Sequence, residues 1–490
     1  IGPEIMDATL AVLDAAGAGL DYDFIQIGQK VYERGVSAGI EPSAWDSLRK
    51  HKVFLKAPIT TPQGGGYKSL NVTARKTLGL YANVRPCVAY APFVKAPHPG
   101  MDVLIVRENE EDTYGGIEHR QTAEVTQCLK LITRPGCEKI VRHAFEVASA
   151  AGRKKVSCFT KDNIMKATDG LFHRVFDEIK ADYPEIAADH WIIDIGAAKL
   201  AVEPERFDVI VTPNLYGDIL SDIAAELTGS VGLCGTANIG PQCSMFEAIH
   251  GSAPDIAGRD VANPSGLILA AVQMLLHLGK HDAAERVHNA WLRTIEDGLH
   301  TADVFDALRS KQKLGTRAFA EAVIERLGRK PLHLLAADYQ NTRDLHTPDG
   351  SPPSHAPASR GGVGVEKPVK KLLGVDVFFD WDEPGRDPLK LAARLKYATQ
   401  ASGMELTMIT NRGVKVWPQG FPETFCTDHW RCRFMPAKLG EGDGALRSEM
   451  SHQKIIHLLT HLTVHGLDFI KTEQLHAFDG VAGYSLGQGE

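Results

Sequence analysis

The spacing of apolar residues along the first 340 positions switches repeatedly between short continuous runs and a helical period. The runs have the length of buried strands and lie at 51–57, 102–106, 156–159, 191–195 and 207–212. Helical spacing occurs at 4–17, 69–81, 138–151, 164–180, 217–228 and 262–300. Strands that alternate with helices predict an α/β layered fold.

The pattern breaks at residues 341–364, which are rich in Pro, Ser, Gly and Asp and nearly free of large apolar side chains. This composition predicts a linker. Apolar runs resume after it and predict a small C-terminal α/β domain over 365–490, which we expect to serve oligomerisation or interdomain packing. Its predicted strands are 372–380, 404–410 and 414–417, and its predicted helices are 387–400 and 451–463.

Composition narrows the class of protein. A chain of 490 residues fits two to four domains. Its 54 basic and 61 acidic residues give a net charge of −7, which argues against nucleic-acid binding. Eight cysteines are too few for a disulfide scaffold, so we expect a reducing compartment such as the cytoplasm. No apolar run reaches 18 residues, so no membrane span is expected. Because the sequence opens on Ile1 rather than Met, we expect its native start to be missing.

The segment 207–222 carries the strongest chemical signal, since an apolar strand runs through a Pro-Asn turn into a helix. Asp218 and Asp222 are four residues apart, so their carboxylates share one helical face. A cation between them would relieve their repulsion, and oxygen ligands favour Mg²⁺ or Mn²⁺. The alternative is that these acids only complement the helix dipole. A third acid, Asp194, ends a predicted strand, where α/β sheets bind ligands.

Several arginines lie at predicted strand and loop ends, among small polar residues. Ser69 and Asn71 precede Arg75 by one or two helical turns, Arg85 stands before a proline, and Arg107 ends the strand 102–106. Arginine binds carboxylates through two parallel hydrogen bonds and stays charged at working pH, so the set suits a small polyanion. For each arginine alone a surface salt bridge is the simpler interpretation, and Ser69 also fits a helix N-cap.

Three further signals are weaker. Lys161 follows an apolar strand, where burial beside a cation would bring its pKa toward the working range, and Tyr114 precedes two glycines in an acidic loop. The loop 247–264 holds His250, Asp255 and Asn263 between Gly and Pro residues. No G-x-G-x-x-G follows a strand, so an ordinary Rossmann phosphate loop is not expected.

Cys426, His429 and Cys432 of the C-terminal region have the spacing C-x₂-H-x₂-C. A zinc site would need a fourth ligand, and none is obvious. Ordinary core and surface positions are the favoured interpretation.

Seven motifs, taken together and in order, resemble the β-decarboxylating dehydrogenases, and among these the isocitrate dehydrogenases. They are IGPEI, TTPQGGGYKSLNV, LYANVRP, VRENEEDTYGGIE, KDNIMK, NLYGDILSD and HGSAPDIAG followed by NP, over residues 1–335. The C-terminal sequence TNRGVKVWPQGFPETFCTDHWRCRF is similar to the extra domain of a longer bacterial subgroup.

The resemblance implies a two-domain α/β subunit. Its large cofactor-binding domain would comprise 1–80 and 229–340, and its small domain 81–228, with a clasp after Tyr114 and the dimer interface. Tyr114 and Lys161 match the catalytic pair. The substrate-binding positions are Ser69, Asn71, Arg75, Arg85 and Arg107, and the metal ligands for Mg²⁺ or Mn²⁺ are Asp194, Asp218 and Asp222. Lys161 and Asp194 would enter the active site from a second subunit.

Cofactor contacts are also implied at Thr60, Asn163, Glu247, His250, Asp255, Ile256 and Asn263. NADP-using relatives typically carry Lys and Tyr where this chain has Asp255 and Ile256. A carboxylate accepts hydrogen bonds from ribose hydroxyls and repels a 2′-phosphate, so the sequence predicts NAD rather than NADP.

The expected activity is metal-dependent oxidative decarboxylation of isocitrate to 2-oxoglutarate and CO₂, with hydride transfer to NAD. A related 2-hydroxy acid, such as 3-isopropylmalate, homoisocitrate or tartrate, is the alternative substrate, and a non-catalytic regulatory subunit is the alternative class. The expected assembly is a homodimer with shared active sites, and a tetramer is the alternative. No nucleic-acid or membrane partner is expected.

Overall fold

The computed structural model describes residues 1–36, 39–60, 69–339, 367–421, 423–440 and 446–485. The described chain folds into two compact units. The first comprises 1–115 and 130–339, and the second comprises 116–129 and 367–485. The predicted linker at 341–364 lies outside the described residues.

The helices and strands alternate along the first unit and recur in the second. The helices are α1 Gly2–Ala15, α2 Gln29–Glu33, α3 Pro42–His51, α4 Leu70–Thr77, α5 Arg134–Ala150, α6 Thr168–Ile179, α7 Ile193–Val202, α8 Asn214–Leu227, α9 Ser265–His277, α10 His281–Glu296, α11 Thr316–Ile324, α12 Pro388–Thr399 and α13 His452–Val464. The strands are β1 Val53–Lys56, β2 Ala82–Val88, β3 Asp102–Glu108, β4 Glu118–Arg120, β5 Thr126–Cys128, β6 Lys155–Thr160, β7 Ala187–Ile192, β8 Val209–Thr212, β9 Gly235–Ile239, β10 Ser244–Ala248, β11 Leu299–His300, β12 Gln312–Lys313, β13 Lys370–Asp380, β14 Met404–Asn411, β15 Val414–Trp417, β16 His429–Pro436, β17 Phe469–Phe478 and β18 Val481–Ala482.

An eight-stranded sheet with the order β1-β10-β9-β2-β3-β8-β6-β7 forms the centre of the first unit. Strands β3, β8, β6 and β7 run parallel to one another, whereas β2 is antiparallel to both β3 and β9. Every residue of β8 is buried, as expected for a parallel strand covered by helices on both faces. Strands from the predicted large and small domains thus share one sheet.

Local sequence signals account for the helices that border the sheet. Pro3 stands in the first turn of α1, which buries Ile5, Val12 and Leu13. Helix α5 begins after Thr133, whose side chain accepts a hydrogen bond from the Gly136 amide. Helix α9 is apolar nearly all round and lies within the main core, since an apolar helix without a polar face must be covered.

The second unit is a six-stranded sheet with the order β15-β14-β16-β13-β17-β18. Leu391 and Leu395 of α12 and Leu458 and Leu462 of α13 join the sheet residues in one apolar core. The clasp segment 116–129 is a short hairpin of β4 and β5 that belongs to this unit. Buried Trp430 of β16 donates from its indole nitrogen to the Trp381 carbonyl, 2.9 Å away.

The α/β fold class with a small C-terminal α/β domain is confirmed, and most predicted elements agree with the structure to within a few residues. The predicted strand 191–195 is wrong at its end, because β7 stops at Ile192 and Asp194 lies in the first turn of α7. An apolar run that crosses from a strand into a partly buried helix carries no periodicity to mark the change. None of the described helices combines the length and the apolar character needed to cross a bilayer.

Candidate active site

The carboxyl ends of the parallel strands β3, β8, β6 and β7 meet at one edge of the sheet, and the predicted catalytic and metal-binding residues follow these strands. Arg107 is the penultimate residue of β3, and α8 follows β8 after one residue. Because β2 runs antiparallel, its residue Asn83 pairs with Arg107, which brings Arg85 to the same edge. The topology therefore gathers residues that are distant in sequence.

Arg107 is fully buried and points at the first turns of α8. Its Nε and Nη2 donate to Asn214 Oδ1 at 2.9 and 2.8 Å, and its Nη1 donates to Asp218. The other oxygen of Asp218 accepts a hydrogen bond from the Tyr114 hydroxyl. The guanidinium also lies over the Tyr114 ring, with Cζ 4.9 Å from the centroid. Asp218 thus joins Arg107, a predicted substrate-binding residue, to Tyr114, a predicted catalytic residue.

Arg85 lies beside Arg107 and reaches the second acid of the pair. Its Nη1 is 3.2 Å from Asp222 Oδ1, its Nη2 is 3.7 Å from Asp218 Oδ1, and its Nε donates to Asn83 Oδ1 at 2.6 Å. The spacing of four residues on α8 therefore places both carboxylates toward the same guanidinium, as the helical period predicted.

Arg75 and Glu247 form the buried wall of the site. Arg75 Nη2 lies 2.9 Å and Lys56 Nζ 2.7 Å from the two oxygens of Glu247, which also accepts from Asn238 Nδ2 at 2.9 Å. Burial raises the pKa of Glu247, but the two cations outweigh it and hold the pKa well below its usual range. Both carboxylate oxygens of Glu247, which was predicted to contact the cofactor, are therefore occupied by Lys56, Arg75 and Asn238.

Arg85 and Arg107 contact Asp218, and a chain of hydrogen bonds through Glu247, Asn238 and Asn83 links Arg75 to Arg85. Burial, with the charges of Arg85 and Arg75, lowers the pKa of Arg107 to about 10, so it remains charged at neutral pH. Burial raises the pKa of Asp218, yet Arg107 and the other arginines make the net shift downward. Burial raises the pKa of Tyr114 despite the opposing effect of Arg107. The site therefore contains fixed cations, an ionised carboxylate and a protonated phenol.

Lys161 and Asp194 form a separate pair. Strands β6 and β7 align Thr160 with Ile192, so the two residues follow adjacent strand ends, and Lys161 Nζ donates to Asp194. This bond lowers the pKa of Asp194, whose side chain is 68% exposed. Within the described part of one chain, neither Lys161 nor Asp194 has a hydrogen bond or ion pair to Asp218, Asp222 or Tyr114.

The carboxylates of α8 fit a hard divalent cation. The Asp222 side chain is 65% exposed, and Arg85 contacts only its Oδ1. Burial and the neighbouring Asp218 raise the pKa of Asp222, as expected for a carboxylate beside a like charge. A divalent cation would relieve this repulsion, and carboxylate oxygen is the ligand type that Mg²⁺ and Mn²⁺ prefer. The two residues present in this pocket supply only part of a coordination shell.

The loop 247–264 and its neighbours have features of a ligand cleft. The Nε2 of His250 is shielded from solvent and has no hydrogen-bond partner among the described residues. Burial lowers the pKa of His250, which favours its neutral form. Thr60 Oγ1 lies 2.7 Å from Ser252 Oγ on the same loop. A buried polar nitrogen of this kind fits a ligand that supplies the missing hydrogen bond.

The other predicted cofactor positions differ in their surroundings. Asn163 and Asp255 are exposed, and Ile256 packs against an apolar cluster that includes Ile5. Asn263 donates to Asp303 Oδ2 at 2.9 Å and accepts from the Ser265 amide, so it stabilises the start of α9. Of the remaining predicted substrate residues, Ser69 is the N-cap of α4, and the buried Asn71 Oδ1 has no partner among the described residues.

Sequence reasoning missed several residues that orient the site. Asn214 accepts two hydrogen bonds from Arg107, and Ser221 accepts one from Arg85. Both stand in the segment 207–222, between or before the paired acids, so their position in that motif was the available signal. Lys56, the partner of Glu247, ends a strand and carried no such signal.

Two family models together match nearly the whole chain. Residues 1–323 match the isocitrate/isopropylmalate dehydrogenase model, and residues 370–490 match the model of the bacterial isocitrate dehydrogenase C-terminal domain. The first match covers the sheet and the candidate site.

Curated relatives and a solved structure agree with these models. The NADP isocitrate dehydrogenase of Rickettsia bellii is 51% identical, and the alignment covers 100% of this chain and 97% of the relative. That of Thermus thermophilus is 42% identical over 100% of this chain and 94% of the relative. The crystal structure of the TT0538 protein, also from Thermus thermophilus, superposes with a TM-score of 0.88 and 40% identity, over 100% of this chain and 94% of that one.

The prediction of NAD as cofactor is wrong by this comparison, because these full-length relatives are named for NADP. The prediction rested on Asp255 and Ile256, which replace the expected Lys and Tyr, and on the negative charge of Asp255. That residue is exposed, and exposed Arg259 lies one turn later, with Nη1 3.4 Å from the Asp255 carbonyl oxygen. One solvated carboxylate beside a guanidinium does not make a loop repulsive to phosphate.

Proposed function

The chain belongs to the isocitrate/isopropylmalate dehydrogenase family, and from this we propose that it oxidises and decarboxylates isocitrate, giving 2-oxoglutarate and CO₂ with NADP as hydride acceptor. The observation that carries the proposal is the contact of Arg85, Arg107 and Tyr114 with Asp218 at the carboxyl edge of the sheet, with Arg75 linked to Arg85 through buried hydrogen bonds. In a chain whose full-length relatives are isocitrate dehydrogenases, this arrangement suits a small tricarboxylic acid.

The three arginines would bind the carboxylates of the substrate. Arg107 is held by Asn214, Arg85 by Asn83 and Arg75 by Glu247, so their guanidinium groups are fixed before a ligand arrives. Preorganised donors lose little side-chain entropy on binding and stabilise negative charge strongly in a site that excludes water.

Lys161 and Tyr114 would carry out the proton transfers. Lys161 would take the proton of the substrate hydroxyl as hydride leaves the same carbon. Tyr114 keeps its proton at neutral pH, because burial raises its pKa, and would donate that proton to the carbon that has lost CO₂. Asp218, with Asp222, would hold a divalent cation, whose chemistry when bound is to polarise the substrate hydroxyl and carbonyl, and residues of the loop 247–264 would hold the dinucleotide that supplies the hydride acceptor.

Two features of the loop 247–264 support a phosphorylated dinucleotide. Exposed Arg259 supplies a cation near the predicted ribose position, and the buried Nε2 of His250 has no hydrogen-bond partner in the part of the chain that the structure describes. The names of the full-length relatives are the main support for the 2′-phosphate.

An initial-rate assay tests the function. We expect isocitrate with NADP and Mn²⁺ to give NADPH and 2-oxoglutarate, no turnover after the metal is chelated, and a lower kcat/KM with NAD. 3-Isopropylmalate serves as the competing substrate. A higher kcat/KM for 3-isopropylmalate would refute the substrate, and a higher kcat/KM with NAD would refute the cofactor.

We further propose that Lys161 and Asp194 of one subunit complete the site of another. Within one chain they pair with each other and not with the residues of α8. Mixed dimers of K161A and D218N would then regain roughly a quarter of the wild-type rate, because half of randomly paired dimers are mixed and each holds one intact site. Mixed dimers as inactive as the parents would exclude shared sites.

A further inference from the structure

Three side chains outside the candidate active site form a compact group of metal-ligand type. Asp162, His173 and His190, here called the His173 cluster, place one ligand atom each within 4.8 Å of one another. Asp162 follows β6, His190 lies on β7, and His173 lies on α6, so the group straddles a strand pair and the helix packed on it. Their side chains are 18–25% exposed, which leaves a route for an ion.

His173 stands between two carboxylates. Its Nδ1 lies 2.7 Å from Asp162 Oδ2, and its Nε2 lies 3.5 Å from Asp177 Oδ2. The contact of 2.7 Å between His173 Nδ1 and Asp162 is a hydrogen bond, and a cation that binds both groups would replace the shared proton. Asp177 would then be placed to accept the Nε2 proton, which is the second-layer arrangement typical of metal-bound histidine.

His190 completes the group. Its Nε2 lies 3.7 Å from Asp162 Oδ1 and 2.8 Å from Thr160 Oγ1, and its ring stacks on His173 with centroids 3.6 Å apart. Two imidazole rings and one carboxylate therefore lie together at this point of the fold.

We propose that Asp162, His173 and His190 form a second metal site, distinct from the aspartates of the candidate active site, that takes a nitrogen-preferring divalent cation such as Zn²⁺ or Co²⁺. Two imidazoles and one carboxylate match these ions, whereas Mg²⁺ prefers oxygen ligands alone. The three protein ligands leave a position for water. The preferred type of metal therefore distinguishes the two sites.

The test is Zn²⁺ binding to the chelator-treated full-length protein by equilibrium dialysis, with excess Mg²⁺ present to occupy the oxygen-ligand site. We expect the wild type to hold a Zn²⁺ ion whose affinity falls at least tenfold in H190Q and about tenfold in D177N, since Asp177 only orients His173. H119Q, which alters an exposed histidine of β4, should bind like the wild type.

Thermal unfolding gives an independent measurement, because Zn²⁺ that binds only the folded state raises Tm. We expect Zn²⁺ to raise the Tm of the wild type and of H119Q but not that of H190Q. Wild-type protein that binds no Zn²⁺, or H190Q that binds it with wild-type affinity, would overturn the proposal. The three side chains would then form only a hydrogen-bonded group.

Discussion

At the residue scale, Tyr114 shows how the pocket prepares one group for its task. The phenol lies against the Arg107 guanidinium and donates to Asp218. Burial and the Asp218 carboxylate disfavour the phenolate form of Tyr114, whereas Arg107 favours it. Burial has the larger effect, so the pKa of Tyr114 rises. The residue is therefore suited to donate a proton rather than to accept one.

Replacing Tyr114 tests this role. We expect Y114F to lower kcat for isocitrate oxidation by about 10²–10⁴-fold, with a smaller change in KM, because the variant loses only the acid. Steady-state kinetics measure the effect. Y22F, which removes a hydroxyl on the exposed Tyr22–Asp14 pair, is the matched control. A Y114F rate close to that of Y22F would exclude Tyr114 as the proton donor.

At the element scale, α8 approaches β3 closely because Gly217 has no side chain. A Cβ on Gly217 would lie 2.5 Å from Arg107 Cγ and 2.7 Å from its Cβ. This approach lets Arg107 extend under the first turn of α8 to reach Asn214 and Asp218. A glycine inside a helix costs about 1 kcal/mol relative to alanine, so its presence here reflects packing rather than helix propensity.

We expect G217A to displace Arg107 and raise the KM for isocitrate by about 10- to 100-fold, the range for losing a charge-assisted hydrogen bond. It should also lower the Tm, although alanine favours the helix. G100A is the control, because the nearest atom to its added Cβ is an ordinary 3.4 Å away. A G217A enzyme with unchanged KM and raised Tm would show that the close approach does not position Arg107.

The clasp hairpin illustrates a second element-level contact. Asp428 is 2% exposed, and it accepts from the Thr122 hydroxyl at 2.5 Å and from the Glu124 amide at 3.3 Å. Arg386 binds both oxygens of Glu124, at 2.7 and 2.9 Å. These bonds anchor residues 116–129, which directly follow Tyr114 and Gly115, to the sheet of the second unit.

We expect D428N to destabilise this anchorage by about 1.5–3 kcal/mol, the usual value of a hydrogen bond to a charged acceptor. Chemical denaturation of D428N, T122V and the double variant measures the coupling. The double variant should lose less than the sum of the two single losses, because both remove the same bond. Additive losses would contradict a direct Thr122–Asp428 interaction.

At the scale of the whole molecule, buried histidine links stability to pH. His143 of α5 is 4% exposed and lies edge-on to Tyr81, with ring centroids 5.6 Å apart. Burial lowers its pKa from 6.5 to about 4. Below pH 6.5 His143 binds a proton in the unfolded chain but stays neutral in the folded chain. The free energy of unfolding therefore decreases as pH falls from 6.5 toward 4.

Because the pKa of His143 is lowered in the folded state, this residue alone should reduce the free energy of unfolding by about 2 kcal/mol between pH 7 and pH 5. We therefore expect the difference in unfolding free energy between these pH values to shrink by that amount in H143F, and to stay unchanged in H119Q. Urea denaturation at both pH values measures it. An H143F protein with the wild-type pH dependence would show that His143 is protonated in the folded state.

The motifs allowed much of the site to be predicted, because the chemistry of a residue and its distance along one helix or strand are local properties. Asp218 and Asp222 share a face through the helical period alone, and Arg107 follows from the end of an apolar strand. Strand β2, however, was missed, since Pro86 interrupts its sequence and only its pairing with β3 and β9 makes it a strand.

The sequence by itself determined the fold class, the arginines, the paired acids and the family resemblance, since each depends on residue type and short spacing. Only the tertiary structure brings Arg85 and Arg107 to Asp218, because strand order places residues far apart in the chain at one edge of the sheet. It also shows that Glu247 is held by Lys56 and Arg75, and that the clasp hairpin belongs to the second unit. The His173 cluster spans 29 positions, from Asp162 to His190, with no periodicity, and only the packing of α6 on β6 and β7 assembles it.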